Sequence, residues 1–108
     1  KEKGLPWEKA KAFDGAAVVG KFIAKTNFKD VNDINFRLER NDEVQQKGNT
    51  SLMLWKIDTL IEYISKYFTL KIGDIIFTGT PSGVAKVNSE DVLKGFIEEN
   101  EVFSIKVK

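Results

Sequence analysis

Apolar and polar residues alternate most cleanly between Ile34 and Glu39. There Ile34, Phe36 and Leu38 fall on one side and Asn35, Arg37 and Glu39 on the other. A period of two predicts a half-buried strand. Asn41 and Asp42, which both tolerate left-handed backbone, follow it, and Val44-Gln45-Gln46 forms the return arm of a predicted hairpin. A second alternation closes the chain, with Phe103, Ile105 and Val107 set against Ser104 and Lys106. Between them the period changes. Ile57, Leu60, Ile61, Ile64 and Phe68 lie on one helical stripe, with Lys56, Glu62 and Lys66 off it. Asp58 is the expected N-cap of a helix reaching about Tyr67, and a start near Ser51 would keep Met53 on the same stripe.

Weaker signals fill the gaps. Gly4-Leu5-Pro6-Trp7 reads as a turn, because proline fixes its own φ and drives the preceding residue away from helix. Val18 to Ala24 is apolar enough for a short strand, and Lys25 to Asp33 reads as a polar surface connection. Lys71-Ile72-Gly73-Asp74 is a turn leading into Ile75-Ile76-Phe77, whose unbroken apolarity predicts a strand buried on both faces. Val84 to Glu101 is mixed, with turns expected around Asn88-Ser89 and Gly95. Many strands with one clear helix imply a mainly β fold with one or two helices.

Composition narrows the function classes. The 108 residues are 42% hydrophobic, which suits one domain with a modest core. A net charge of +1, with 31% charged residues, leaves no concentrated basic surface for nucleic acid. With no cysteine and no histidine, disulfides, thiolate metal sites, cysteine nucleophiles and the commonest general base are excluded. No apolar run approaches membrane-span length and the amino terminus shows no signal-peptide pattern. The expected setting is therefore cytoplasmic, or mitochondrial in a eukaryotic cell. The chain opens at Lys1 without methionine, as a processed chain, an excised domain or part of a longer polypeptide would.

Four stretches offer chemistry, each with a bland reading beside it. Lys11 sits among Trp7, Ala12 and Phe13, where partial desolvation would lower its pKa and suit it to proton transfer or anion binding. A surface lysine lying along apolar neighbours explains the same pattern. Glu99-x-Glu101 would put two carboxylates on one strand face, yet a solvated acidic turn accounts for it better. Gln45, Gln46, Asn49, Thr50 and Ser51 could read a polar ligand or simply cap the hairpin exit. Thr78-Gly79-Thr80-Pro81-Ser82-Gly83 combines two glycines, a stiffening proline and exposed hydroxyls, and is either a plain turn or a carboxylate- or phosphate-binding loop. Without a Walker lysine or a following helix, a nucleotide site is a poor fit.

In order, "KGLPWEKAKAFD" (3–14), "LERNDEVQQKGNTSLM" (38–53) and "LIEYISKYFTLKIGDIIFTGTPSGV" (60–84) resemble the carboxy-terminal part of the fumarylacetoacetate hydrolase family. The resemblance spans almost the whole chain and looks closest to the acylpyruvase, oxaloacetate tautomerase and dienedioate isomerase branch. It implies part of a mixed β-sandwich roll, a homodimer, and an Mg²⁺ or Mn²⁺ ion chelating a 2-oxo acid substrate. The implied activity is acylpyruvate C–C cleavage or oxaloacetate keto–enol conversion or decarboxylation. The alternative within the family is a 2-hydroxyhepta-2,4-diene-1,7-dioate-type isomerase or decarboxylase. By position, Lys11 matches the family's active-site lysine. Thr80, with Gly79 beside it, matches the threonine that contacts the substrate carboxylate, while Gln46 and Thr50 match positions expected to support the site.

The same resemblance places the family's metal ligands, a Glu-x-Glu pair and an aspartate, upstream of Lys1, along with its lid segment. Residues 1–108 are thus expected to be the carboxy-terminal part of a catalytic domain, holding no metal ligand of their own. Val18 stands where relatives often carry proline, and Gly15-Ala16 where a hydroxyl residue can occur. A different class of reading, a non-catalytic truncated module of this fold, follows from the missing carboxylates.

Overall fold

A computed structural model describes residues 12–108, and the turn expected at Gly4–Trp7 lies outside them. The elements are β1 (Asn35–Arg40), β2 (Glu43–Asn49), α1 (Ile57–Ser65), β3 (Val92–Ile97) and β4 (Asn100–Lys106), with short 3₁₀ turns at Lys25–Asn27 and Thr50–Leu52. The four strands form one antiparallel sheet in the order β2-β1-β3-β4. The fold is mainly β with one α-helix.

The predicted hairpin is present, and its chemistry is the expected one. Asn41 and Asp42 take φ of 52° and 68°, two consecutive left-handed residues that match the strand twist. Asn41 also ties this turn to the start of β3. Its Nδ2 donates to Asp91 Oδ1 at 3.0 Å, while its Oδ1 accepts from the Val92 backbone N–H at 3.0 Å. Asp91 Oδ2 in turn accepts from Asn88 N–H at 2.8 Å, closing the predicted turn around Asn88-Ser89. These bonds, led by that from the Asn88 backbone, then that from Asn41, hold the Asp91 carboxyl below its ordinary pKa, with Arg40 adding a smaller attraction.

Cross-strand register puts Phe36, Leu38, Leu93, Gly95, Ile97, Phe103 and Ile105 on one face. The other face carries Arg37 and Glu39, joined at 2.8 Å, and the Arg37 guanidinium lies 3.9 Å from the centre of the Phe96 ring. Gly95 is no turn. It sits inside β3, is buried, and a Cβ there would run into the Phe103 ring. The glycine serves a close aromatic approach instead of a change of direction.

Two bulges interrupt the ladders. Leu38 pairs with Gln46 and Glu39 with Val44, which leaves Gln45 as an extra residue in β2. Gly95 pairs with Phe103 and Phe96 with Glu101, leaving Val102 extra in β4. The Val102 carbonyl accepts from Lys21 N–H at 2.7 Å. That bond, with Gly20 close against Val102 and Phe103, is how Val18–Ala24 meets the sheet. The segment is extended but is not a strand, because it makes no ladder with β4 and Phe22 stays 73% exposed.

The helix begins at Ile57 and ends at Ser65, with Lys56 at its N-cap and Asp58 in its first turn. Asp58 therefore favours the helix through its charge near the amino end and does not cap it. The earlier start fails as well. Thr50–Leu52 is a separate turn capped by Asn49, whose Oδ1 accepts from Ser51 N–H, and Met53 and Lys56 then take extended backbone (ψ 142° and 154°). Trp55, Tyr63 and Tyr67 pack in series, with ring centres 5.1 and 5.3 Å apart. No more than slight contact joins α1 to any strand, and no apolar side chain among the described residues is buried.

Ile75–Phe77 is the clearest correction. It follows the predicted Lys71–Asp74 turn, where Asp74 Oδ2 accepts from Lys71 N–H at 2.8 Å, but it pairs with no strand and Phe77 is 66% exposed. Apolarity marked it for burial, yet it pairs with neither edge strand of the sheet, β2 or β4.

Candidate functional site

The loop after Phe77 is anchored on β2 by side chains instead of backbone pairing. Gln46 Nε2 donates to Thr80 Oγ1 at 2.8 Å and to the Pro81 carbonyl at 3.0 Å. Gln45 Nε2 donates to the Gly83 carbonyl at 2.9 Å. Further along, Arg40 donates to the Lys86 carbonyl at 2.9 Å. Residues 80–86 thus cross the end of the hairpin pinned at three places.

Neighbouring side chains of a regular strand point to opposite faces, so Gln45 and Gln46 could not both reach one loop. The bulge at Gln45 breaks that alternation and re-aims the pair. The loop also has to come close. A Cβ on Gly83 would lie 2.6 Å from the Gln45 carbonyl oxygen, and Gly83 takes φ +101°, so only glycine fits without strain. Gly79, at φ +95°, turns the chain in open space.

This arrangement leaves Thr80 exposed with its hydroxyl oxygen engaged and its side chain held in one place. Such a hydroxyl, beside a turn of backbone amides, is suited to an acceptor such as a carboxylate oxygen.

Of the sequence candidates, Thr80, Gly79 and Gln46 come together. Thr50 does not join them. Its hydroxyl donates to the Val31 carbonyl and accepts from Ile34 N–H, both at 2.9 Å, bracing the entry to β1. Lys11 lies outside the described residues. Glu99 and Glu101 line a separate open cleft of about 510 Å³ with Lys21, Asn27 and Asn100. Among the described residues no cluster of three acidic, histidine or cysteine side chains is placed to hold a metal ion. They do not fit the Mg²⁺ or Mn²⁺ that the resemblance implies, and no chemistry through such an ion is built on them. Sequence reasoning gave Gln45 and Gly83 no separate role and passed over Arg40. A glutamine doublet in the return arm of a hairpin was the visible signal for the anchor.

The family model for the carboxy-terminal domain of fumarylacetoacetate hydrolase matches residues 1–108. The chain belongs to the fumarylacetoacetate hydrolase family. Oxaloacetate tautomerase from Escherichia coli K12 is 47% identical over 94 residues, covering 86% of this chain and 43% of that protein. The mitochondrial oxaloacetate tautomerase of Bos taurus is 42% identical over 108 residues, covering 100% of this chain and 48% of its own length. A solved family member from Yersinia pestis CO92 superposes with a TM-score of 0.88 at 42% identity, over 99% of this chain and 50% of that one. Maleylpyruvate hydrolase from Sphingobium sp. SYK-6, solved with manganese(II) and pyruvate, gives a TM-score of 0.73 at 32% identity, over 79% and 32%. The chain spans about half the length of the curated relatives it matches. Among the described residues no helix is long and apolar enough to cross a membrane.

Proposed function

We propose that this chain is the carboxy-terminal part of the catalytic domain of an enzyme acting on a small 2-oxo or β-diketo acid, with oxaloacetate keto–enol conversion as the leading reaction. Acylpyruvate cleavage is the second reaction of the same class. The observation that carries the reading is the Thr80 hydroxyl, held by Gln46 on a glycine-flanked loop and open to an incoming acceptor. The relatives named oxaloacetate tautomerase support the choice of reaction, and the pyruvate in the hydrolase structure supports the substrate class.

In this reading the loop binds and orients. Thr80 donates to one carboxylate oxygen, and Gly79 lets the backbone approach it without a side chain intervening. Fixing the carboxylate sets the plane of the adjacent carbonyl, which a proton transfer at the neighbouring carbon requires. Lys11, which matches the family's active-site lysine by motif, would take part in that proton transfer. Mg²⁺ or Mn²⁺ is the expected cofactor, with no ligand set for it among the described residues. A homodimer is the expected assembly.

The test is a substrate panel on the full-length protein with added Mg²⁺ or Mn²⁺. Oxaloacetate enol–keto conversion is followed by enol absorbance, and acylpyruvate cleavage by loss of the diketo chromophore. Acceleration of the first above the second is expected. Absence of both, with metal bound, would overturn the reading in favour of a non-catalytic module.

A further inference from the structure

The direction of one hydrogen bond can be settled from chemistry alone. The Pro81 carbonyl only accepts, so the Gln46 atom 3.0 Å from it is the amide nitrogen. That nitrogen is also 2.8 Å from Thr80 Oγ1, and it carries no lone pair to receive the hydroxyl proton. Thr80 must therefore accept from Gln46. Its own proton has no acceptor in Gln46 and makes no hydrogen bond among the described residues, on an exposed side chain.

The geometry points to Gln46 as a positioning residue that sets the polarity of the Thr80 hydroxyl, making the loop a donor that selects acceptor ligands. Gln45 completes the device. The bulge that brings it beside Gln46 gives the loop a second anchor at the Gly83 carbonyl, so the hydroxyl is fixed in place as well as in sense. This inference rests on the proposed 2-oxo acid site and names how that site recognises one end of its ligand. The ligand class is a carboxylate presented edge-on. A cation or a neutral hydroxyl donor would find only the one lone pair that Gln46 leaves free and would forgo the proton, so the loop favours an acceptor.

Double donation by Gln46 has a further consequence. Both of its partners belong to the loop, so a neutral residue of similar length loses the polarity control while still filling the space. Gln46→Met is that variant. Without the amide, the Thr80 hydroxyl is free to rotate and donate elsewhere, and the loss falls on ligand binding instead of turnover.

The experiment is a double-mutant cycle on the full-length protein, pairing Gln46→Met with Thr80→Val and, separately, with Thr80→Ser. Two readouts are taken, KM and kcat for oxaloacetate and the Kd of pyruvate by calorimetry. Gln46→Met is expected to raise KM and the pyruvate Kd by roughly fivefold to tenfold, the scale of one hydrogen bond between neutral groups because the hydroxyl is disoriented and not removed, with kcat within about twofold. In the Thr80→Val background it should add less than about twofold, because no hydroxyl remains to orient. In the Thr80→Ser background the full effect should return. An equal loss of pyruvate affinity in the valine and serine backgrounds would overturn the proposal and leave Gln46 a loop support. If oxaloacetate is not turned over but the pyruvate cycle behaves as stated, the proposed reaction fails and the polarity device stands. Turnover without coupling sinks the device alone.

Discussion

Two glycines of the loop separate strain from contact. Gly79 and Gly83 have φ of +95° and +101°, so alanine at either position incurs a comparable backbone penalty of about 1–2 kcal/mol. Beyond that they differ. A Cβ at 79 meets nothing within 4 Å, whereas one at 83 lies 2.6 Å from the Gln45 carbonyl oxygen and 3.1 Å from Gln46 Cγ. The first neighbour is strand backbone and cannot move aside cheaply. Gly83→Ala must lift the loop from β2, loosening the bonds from Gln45 and Gln46 to Thr80, Pro81 and Gly83. Each is worth about 0.5–1.5 kcal/mol net, and their sum caps the extra loss, since the loop can always detach. Gly83→Ala should therefore cost about 1–3 kcal/mol more than Gly79→Ala in urea denaturation followed by far-ultraviolet circular dichroism. It should also raise KM for a carboxylate substrate, because Thr80 is no longer held. Equal destabilisation by the two variants would refute the close approach of the loop to β2.

Other consequences rest on single contacts. Gly95→Ala places a methyl against the Phe103 ring and should cost about 1–3 kcal/mol, partly recovered by Phe103→Leu, as thermal unfolding would show. Asp91 has a lowered folded pKa, so its bonds stabilise the fold above the ordinary value of 3.8 and fade as pH falls from there through the lowered value. Asp91→Asn should flatten the loss of stability below about pH 4, measured by denaturation across that range. Leu60 is only half-buried, so Leu60→Ala in this chain should cost less than the ~2–5 kcal/mol of a core truncation. Lys11→Ala should lower kcat well beyond any change in melting temperature, and an equal loss of both would remove Lys11 from the site.

The hairpin, the helix stripe, the Asn88-Ser89 turn and the last strand were legible because each rests on local chemistry. Asn41 and Asp42 can both take left-handed backbone, and the alternation from Ile34 to Glu39 has one reading. What failed depended on partners distant in the chain. Ile75–Phe77 has the composition of a buried strand, but composition does not supply an edge to pair with. Gly95 looked like a turn because its use, seating the Phe103 ring, is visible only once β3 and β4 are in register. The bulge at Gln45 is likewise a matter of register, and without it a glutamine doublet looks like two residues facing opposite ways. Motif resemblance brought Thr80, Gly79 and Gln46 forward together, and the fold shows what joins them. It separates Thr50, whose hydroxyl is spent on Val31 and Ile34.

The proposed site depends most directly on the Thr80 hydroxyl as the group that meets a substrate carboxylate. Steady-state enol-to-keto conversion of oxaloacetate by the full-length protein, wild type against Thr80→Val, tests it. The wild type should accelerate the conversion, and the variant should show a KM about tenfold higher, with a stability loss no larger than about 0.5–1.5 kcal/mol, that of the missing Gln46–Thr80 bond. Wild-type and variant curves that superimpose, or a wild type that does not accelerate the reaction at all, would contradict it.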